Sequence, residues 1–136
     1  MPLDVFSYGE TPHPPSAQRR MRGALAYQSG LCAEDTVCAD YIARGYVLCD
    51  RRWRGRAGEI DLIFEKAGAY FFVEVKASKT HGQAAQSLTA RQLARICASA
   101  EDYISKTPAG YLTDMQIDVA LVDAVGRLDI LENATI

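Results

Sequence analysis

The sequence lacks any apolar run that approaches the ~20 residues needed to cross a bilayer. Its first residues, MPLDVFSYGETPHPP, also lack the basic-then-apolar order of a signal peptide. These two absences argue against a membrane protein and against a secreted protein. We therefore expect a cytoplasmic protein with no membrane partner.

Cysteine motifs are missing as well. The four cysteines form no C-x-x-C pair and have no histidine at the spacing of zinc ligands. A chain of 136 residues buries roughly two-thirds of the surface that its unfolded form exposes, so it needs neither a disulfide nor a structural zinc to fold. All four lie in apolar-periodic stretches, and we interpret them as reduced packing residues: Cys32, Cys38, Cys49 and Cys97.

The sequence also lacks an excess of positive charge, because it has 15 Lys and Arg residues against 17 Asp and Glu residues. Nucleic-acid binding usually needs a basic surface, so the total argues against it. The distribution weakens that objection, because residues 1–18 carry two acidic side chains and no basic one, which leaves the rest neutral. Four arginines also cluster around Trp53, where they form either a solvated loop or a phosphate-binding patch: Arg51, Arg52, Arg54 and Arg56.

Proline and periodicity predict the organisation of the chain. Residues 1–18 hold four of the five prolines and no lasting apolar period, so we predict a flexible N-terminal extension followed by a single domain over residues 19–136. The periods predict helices and strands in the order αβββαββ. This order is typical of an α/β domain with a mixed central β-sheet flanked by helices. The predicted helices are 23–44 and 88–106, and the predicted strands are 46–53, 59–65, 70–76, 116–122 and 128–131.

Glu34 breaks the pattern of the first predicted helix, because it falls near the middle of the apolar stripe. An unpaired carboxylate costs several kcal/mol to bury. Glu34 should therefore either bend sideways to water or meet a cation, and an arginine would serve as well as a metal ion.

The hairpin after Gly58 carries a second anomaly. With its turn centred on Ala67 and Gly68, paired residues have numbers that sum to 135, which places Asp61 opposite Glu74 and Glu59 opposite Lys76. Because side chains alternate along a strand, these four share one face. Opposed like charges destabilise a hairpin, whereas a divalent cation between them reverses that effect. Oxygen ligands without histidine or thiolate favour Mg²⁺ or Mn²⁺.

Lys76 lies two residues beyond Glu74 on the same face, where it could orient a metal-bound water or stabilise charge on a phosphate. The pattern indicates metal-assisted phosphodiester hydrolysis. The alternative is that the four side chains form two cross-strand ion pairs on an exposed sheet face, although this would not explain Glu34.

The motifs GEIDLI at 58–63 and FVEVK at 72–76 resemble those of the YraN-like family of uncharacterised bacterial proteins. That family resembles the restriction-endonuclease-like superfamily, especially its Holliday-junction resolvase branch. The similarity runs from about residue 20 to the C-terminus and includes Trp53-Arg54 and Asn133-Ala134. It implies a restriction-endonuclease-like fold, activity on DNA, branched DNA included, and a homodimer, since a junction resolvase must cut two opposed strands.

The resemblance also implies roles for individual residues. Asp61 and Glu74 would be metal ligands, Lys76 the catalytic lysine, and Glu34 the acidic ligand contributed by the helix. Glu59 matches the family motif, and we interpret it as a supporting residue that contacts Lys76.

Two positions depart from the family pattern. Gln92 stands where related sequences often have lysine, and Gln116-Ile117-Asp118 replaces a frequent Arg-Phe-Asp. Both changes remove positive or aromatic character, so we expect weak DNA binding at physiological salt. We predict that six arginines bind the phosphates: Arg51, Arg52, Arg54, Arg56, Arg91 and Arg95.

The sequence thus predicts a nuclease that depends on Mg²⁺ or Mn²⁺ and hydrolyses phosphodiester bonds in DNA. The alternative is a non-catalytic nucleic-acid-binding or protein-interaction module that keeps a nuclease-like fold.

Overall fold

The computed structural model describes residues 32–78, 80, 82 and 88–134. The predicted N-terminal extension and the start of the first predicted helix lie outside these residues. The described part of the first helix, α1, covers residues 32–43. The other elements are β1 (Val47–Arg54), β2 (Glu59–Lys66), β3 (Ala69–Ala77), α2 (Ala90–Ile104), a short 3-10 helix (Gly110–Leu112), β4 (Met115–Val122) and β5 (Leu128–Leu131).

The five strands form one mixed sheet in the order β1-β2-β3-β4-β5. The pairs β1–β2, β2–β3 and β4–β5 are antiparallel, whereas β3 and β4 are parallel. Parallel neighbours need a crossover connection, and α2 lies in the segment that makes it. The αβββαββ order and the mixed sheet predicted from the sequence are therefore confirmed.

The two helices pack with different clusters of sheet residues. Tyr41 of α1 stacks on Phe64 of β2 with ring centroids 4.6 Å apart, within a cluster that also holds Val73 and Val75 of β3. Ile96 of α2 belongs to a second cluster, with side chains of β2, β3 and β4. The sheet is consequently covered by a helix on each face, as an α/β domain requires.

A capping box begins α2. The Thr89 hydroxyl accepts the Gln92 N–H, and the Gln92 side chain accepts the Thr89 N–H, both at 3.1 Å. Such reciprocal bonds satisfy two helix donors that would otherwise be unpaired. Gln92, one of the two departures from the family pattern, thus has a structural role at the start of this helix.

The predicted register of the middle hairpin is confirmed. Leu62 pairs with Val73 and Lys66 with Ala69, so the residue numbers sum to 135. The recorded pairing of β2 with β3 ends at Leu62, although both strands continue along their other neighbours. The two strands part at the level of Asp61 and Glu74.

One detail of the predicted face was wrong. Strict alternation along β2 predicts Ile60 and Leu62 together on the face opposite the acidic residues, but Ile60 lies in the cluster with α2 and Leu62 lies in the cluster with α1. The alternation of β2 therefore breaks at Asp61. At this level β2 is no longer paired with β3, and its remaining partner β1 has the left-handed residue Arg52 between the pairs Arg51–Leu62 and Trp53–Ile60.

Among the described residues, no helix is both long and apolar enough to cross a membrane.

Candidate active site

Asp61 of β2 and Glu74 of β3 are buried where the two strands part, with relative exposures of 0% and 1%. One Asp61 oxygen, Oδ2, accepts the Val75 N–H at 2.9 Å. Asp61 Oδ1 and both Glu74 carboxylate oxygens are buried without a hydrogen-bond partner. Two adjacent carboxylates thus leave three oxygens unsatisfied, which is costly in a protein interior.

The electrostatics of Asp61 reflect this arrangement. Burial raises the pKa of Asp61 well above its usual range, and the negative charge of Glu74 raises it further. The hydrogen bond from Val75 lowers this pKa, whereas a side-chain hydrogen bond that protonated Asp61 can make with Glu74, and the charge of Glu34, raise it. The folded site therefore favours the protonated form of Asp61 when no cation is bound.

Lys76 provides positive charge beside Glu74. Its ammonium lies 3.3 Å from Glu74 Oε2, and both side chains are buried. The pair is within ion-pair distance, yet its geometry does not make a hydrogen bond to Glu74. Lys76 is thus held at the carboxylates without satisfying their lone pairs.

Glu34 of α1 is buried, with 1% relative exposure, as its place on the apolar stripe indicated. Arg52 Nε and Nη2 approach its two oxygens at 3.2 and 3.4 Å, and Arg51 Nη2 lies 3.5 Å away. Of the two outcomes predicted for Glu34, the encounter with a cation is the one observed. In this structure the cation is arginine.

The backbone of Arg52 accounts for this contact. Arg52 has φ of 51°, in the left-handed region that non-glycine residues rarely occupy, and the register of β1 against β2 shifts between Leu48 and Asp50. A strained backbone conformation of this kind persists only where the surrounding structure holds it in place. At Arg52, the strained backbone occurs together with the ion pair between the Arg52 side chain and Glu34.

Glu59 lies at the start of β2 and is mostly buried. Its Oε2 is 3.6 Å from Arg54 Nη2, and its Oε1 has no hydrogen-bond partner. Burial raises the pKa of Glu59, and the charges of Arg52 and Arg54 partly offset this effect. The recorded ion pair of Glu59 is thus with Arg54, whereas we had interpreted Glu59 as a contact of Lys76.

The predicted arginines lie in different environments. In addition to its contact with Glu34, Arg51 forms an ion pair with Asp35 at 2.9 Å. The side chains of Arg54 and Arg56 are 74% and 90% exposed. Arg91 is exposed in the first turn of α2.

Arg95 lies against the turn before Glu59. A Cβ placed on Gly58 would come 3.0 Å from Arg95 Cδ, and Gly58 has φ of 145°. The Ser99 hydroxyl donates to the Gly58 carbonyl at 2.9 Å, which fixes α2 to this turn. Arg95 Nε is buried without a hydrogen-bond partner. A glycine at position 58 therefore lets the Arg95 side chain pack against the turn before β2.

The unpaired oxygens of Asp61 and Glu74 fit a hard divalent cation, because carboxylate oxygens are the ligands that Mg²⁺ and Mn²⁺ prefer. Glu34 could join them only by changing its contacts with Arg51 and Arg52. Within residues 32–78 and 88–134, no three His, Cys, Asp or Glu side chains are grouped closely enough to make a preformed metal site.

Sequence reasoning missed the importance of Asp118 on β4, which is buried with 1% relative exposure. It accepts hydrogen bonds from the Tyr41 hydroxyl (2.6 Å), the Gln116 amide (2.8 Å) and the Asn133 N–H (3.0 Å). Burial and the bond to Asp118 raise the pKa of Tyr41. The available signal was an aspartate within an alternating apolar strand.

A helix-flanked mixed sheet with acidic residues and a lysine on its central strands defines an α/β domain of the restriction-endonuclease-like class. The sequence model of Uncharacterised protein family UPF0102 matches residues 33–130, and the chain belongs to this family. UPF0102 is the YraN-like family, within the restriction-endonuclease-like superfamily, so the resemblance drawn from the motifs is confirmed.

Three relatives illustrate the similarity. A UPF0102 protein of Roseobacter denitrificans is 48% identical over 124 residues, which cover 91% of this chain and 96% of that protein. One from Ruegeria pomeroyi is 51% identical, covering 83% of this chain and 92% of the relative. One from Cereibacter sphaeroides is 46% identical, covering 84% and 97%.

Proposed function

We propose that the protein is a nuclease that depends on a divalent metal ion and hydrolyses phosphodiester bonds in DNA. The observation that carries this proposal is the set of three unpaired, buried oxygens on Asp61 and Glu74, next to the ammonium of Lys76. A protein selected for stability alone gains nothing from such a set. A bound cation and a phosphate together would satisfy it.

Each residue has a part in this proposal. Asp61 and Glu74 would hold Mg²⁺ or Mn²⁺, with Glu34 as a third acidic ligand once it exchanges its arginine contacts. When bound, such an ion polarises a phosphate and lowers the pKa of water. Lys76 would orient the attacking water or stabilise the negative charge that develops on the phosphate. Glu59 would adjust the local charge through its contact with Arg54.

The exposed arginines support DNA as the substrate. Arg54 and Arg56 follow Trp53 at the end of β1, beside Glu59, and their side chains are exposed. Arginine binds phosphate oxygens through its planar array of donors. Branched DNA and a homodimer remain part of this proposal, since cutting two strands of a junction needs two copies of the site.

The test is cleavage of linear, flapped and four-way DNA by the full chain with Mg²⁺ and with Mn²⁺. We expect the wild type to cleave at least one of these DNA substrates with at least one of the two metal ions. The cleavage rate should fall at least a hundredfold in Asp61→Asn and in Lys76→Met. Lys76→Met keeps the unbranched side chain as far as Cε and removes the charged ammonium group. Cleavage that persists at the wild-type rate in both variants would come from a contaminant and would contradict the proposal.

One observation favours a second candidate, a non-catalytic nucleic-acid-binding or protein-interaction module. Glu34 is already neutralised by Arg51 and Arg52, as in a site that needs no ion. Isothermal titration with Mn²⁺ separates the two candidates. The nuclease predicts heat for the wild type and none for Asp61→Ala, whereas the module predicts equal curves.

A further inference from the structure

An open groove of about 300 Å³ lies between β1, β3 and the end of α2, outside the acidic site. Its lining combines three aromatic rings with one cation: Trp53, Tyr70, Tyr103, Lys106, Thr107 and Pro108. Trp53 and Tyr70 both pack against Tyr103, with ring centroids 5.0 and 5.9 Å from that of Tyr103. All three rings are only partly buried, so they present aromatic surface to an incoming ligand.

The rim of the groove is positively charged. Lys106 Nζ lies 5.5 Å from the centre of the Trp53 ring, and its side chain is 67% exposed. Arg56 is on the same surface, because Arg56 Nε and Lys106 Nζ both approach Asp102 Oδ1, at 3.9 and 3.7 Å. Arg54 directly follows Trp53 in the chain. The aromatic surface is thus bordered by cations.

We propose that this groove binds an unpaired nucleobase of single-stranded DNA, with Lys106 and Arg56 on the neighbouring phosphates. Stacking on aromatic side chains contributes about 1–3 kcal/mol per base and tolerates any sequence, and flexible cations follow the backbone. A double helix keeps its bases stacked inside, so it cannot place one in the groove without opening.

This inference rests on the proposed function and specifies its substrate. Tyr70, Phe72 and Glu74 alternate on β3, so the strand that carries a groove residue also carries a carboxylate of the site. Four residues of strand span about 13 Å. At 3.4 Å per stacked nucleotide, this corresponds to about four nucleotides. The substrate would then be DNA with an unpaired segment of at least about that length.

Trp53 is the one tryptophan of the chain, so its fluorescence reports on the groove directly. We would titrate the full chain in EDTA, which prevents cleavage, with a thymidine oligonucleotide of about twelve residues. The comparison ligands are the same chain with abasic sites, a blunt duplex and a decaproline peptide, since proline-rich segments also dock in aromatic grooves. We expect quenching by the oligonucleotide, and affinity about tenfold lower for the abasic chain.

Variants add a second readout by anisotropy of labelled oligonucleotide. Lys106→Ala should weaken binding and reduce the slope of log affinity against log salt by about one unit. Lys66→Ala is the matched control, because Lys66 also lies over an aromatic ring, that of Tyr46 at 4.6 Å, away from the groove. It should leave affinity and slope unchanged.

The groove assignment is wrong if the oligonucleotide leaves Trp53 fluorescence unchanged, or if the abasic chain, the duplex or decaproline quenches it equally. It is also wrong if Lys106→Ala and Lys66→Ala behave alike. The experiments distinguish failure of the groove proposal from failure of the nuclease proposal. Cleavage without quenching would retain the nuclease and remove the groove, whereas quenching without Mn²⁺ binding or cleavage would do the reverse.

Discussion

Buried carboxylates on three adjacent strands, β2, β3 and β4, show opposite ways of accommodating a charge. Asp118 on β4 has three donors and no unsatisfied oxygen among its recorded contacts. Asp61 and Glu74 leave three oxygens without partners. Asp118 pairs in register with Val73, directly before Glu74, so Asp118 and Glu74 are one residue apart in register and on opposite faces of the sheet.

The difference separates a structural carboxylate from one that is available to a ligand. The bonds of Asp118 join α1, β4 and the segment after β5, so removing it leaves buried donors unpaired. The unpaired oxygens of Asp61 and Glu74 lower the stability of the metal-free protein, and a ligand would recover that loss. Burial alone does not distinguish the two cases, whereas the hydrogen-bond partners do.

The largest expected effect is on Asp118. Asp118→Ala should lower the free energy of unfolding by about 3–5 kcal/mol, because it leaves the Tyr41 hydroxyl buried without its acceptor. In EDTA, Asp61→Asn should cost far less or stabilise the protein, since it removes a buried charge and keeps an acceptor for Val75. Urea unfolding at neutral pH measures both, and equal losses would invalidate the comparison.

Metal ions should act on one position alone. At about one hundred times the dissociation constant, Mn²⁺ should raise the free energy of unfolding of the wild type by about 2.7 kcal/mol. Glu74→Gln should abolish the increase. Asp123→Asn is a suitable control, because the Asp123 carboxylate in the β4–β5 turn already accepts bonds from Val125 and Arg127. Thermal or urea unfolding with and without Mn²⁺ gives the comparison, and an increase retained in Glu74→Gln would argue against this site.

The pH dependence of the metal-free protein follows from Asp61. Its pKa is raised in the folded state, so folding favours the protonated form. That contribution is complete below the unfolded pKa of about 3.9 and is lost as the pH rises through the folded pKa. The stability of Asp61→Asn relative to wild type should therefore increase with pH, with a slope of at most about 1.4 kcal/mol per pH unit. Urea unfolding in EDTA at several pH values tests this, and a difference that stays constant would exclude it.

The exposed arginines Arg54 and Arg56 should have the smallest effect on stability, and their replacement should instead change DNA binding. Replacing Arg54 and Arg56 together with alanine should flatten the slope of log DNA affinity against log salt by about two units and leave Mn²⁺ binding intact. Arg127→Ala is the control, since Arg127 is also exposed but lies in the β4–β5 turn. A filter-binding series from low to moderate salt measures the slope. An unchanged slope would remove these two arginines from the DNA surface.

Local patterns predicted much of this molecule. The strand bounds agree to within about two residues, and the turn at Ala67-Gly68 fixed the register that places Asp61 near Glu74. The burial of Glu34 also followed from helical periodicity. These features depend on contacts between residues that are near in sequence or paired through one turn.

The remaining features depend on distant contacts that periodicity does not encode. The left-handed backbone of Arg52 and its ion pair with Glu34, 18 residues away, could not be read from an arginine in a strand. The bond between Tyr41 and Asp118 joins residues 77 positions apart. The change of face at Ile60 occurs where the β2–β3 pairing ends and where Arg52 of β1 is left-handed, and the alternation of β2 reveals neither feature.

The parting of β2 and β3 divides the sheet at this end into two panels, β1–β2 and β3–β4–β5. Among the recorded contacts there, the hydrogen bond from Val75 to Asp61 joins the panels. The separation of Asp61 and Glu74 therefore depends on how far the panels open. Mg²⁺ holds oxygens at about 2.0–2.1 Å and Ca²⁺ at about 2.3–2.6 Å, a difference that a small opening accommodates. The spacing of the two strands would then adjust to the size of the bound ion. Discrimination between Mg²⁺ and Ca²⁺ would come from their preferred coordination numbers rather than from the distance between Asp61 and Glu74.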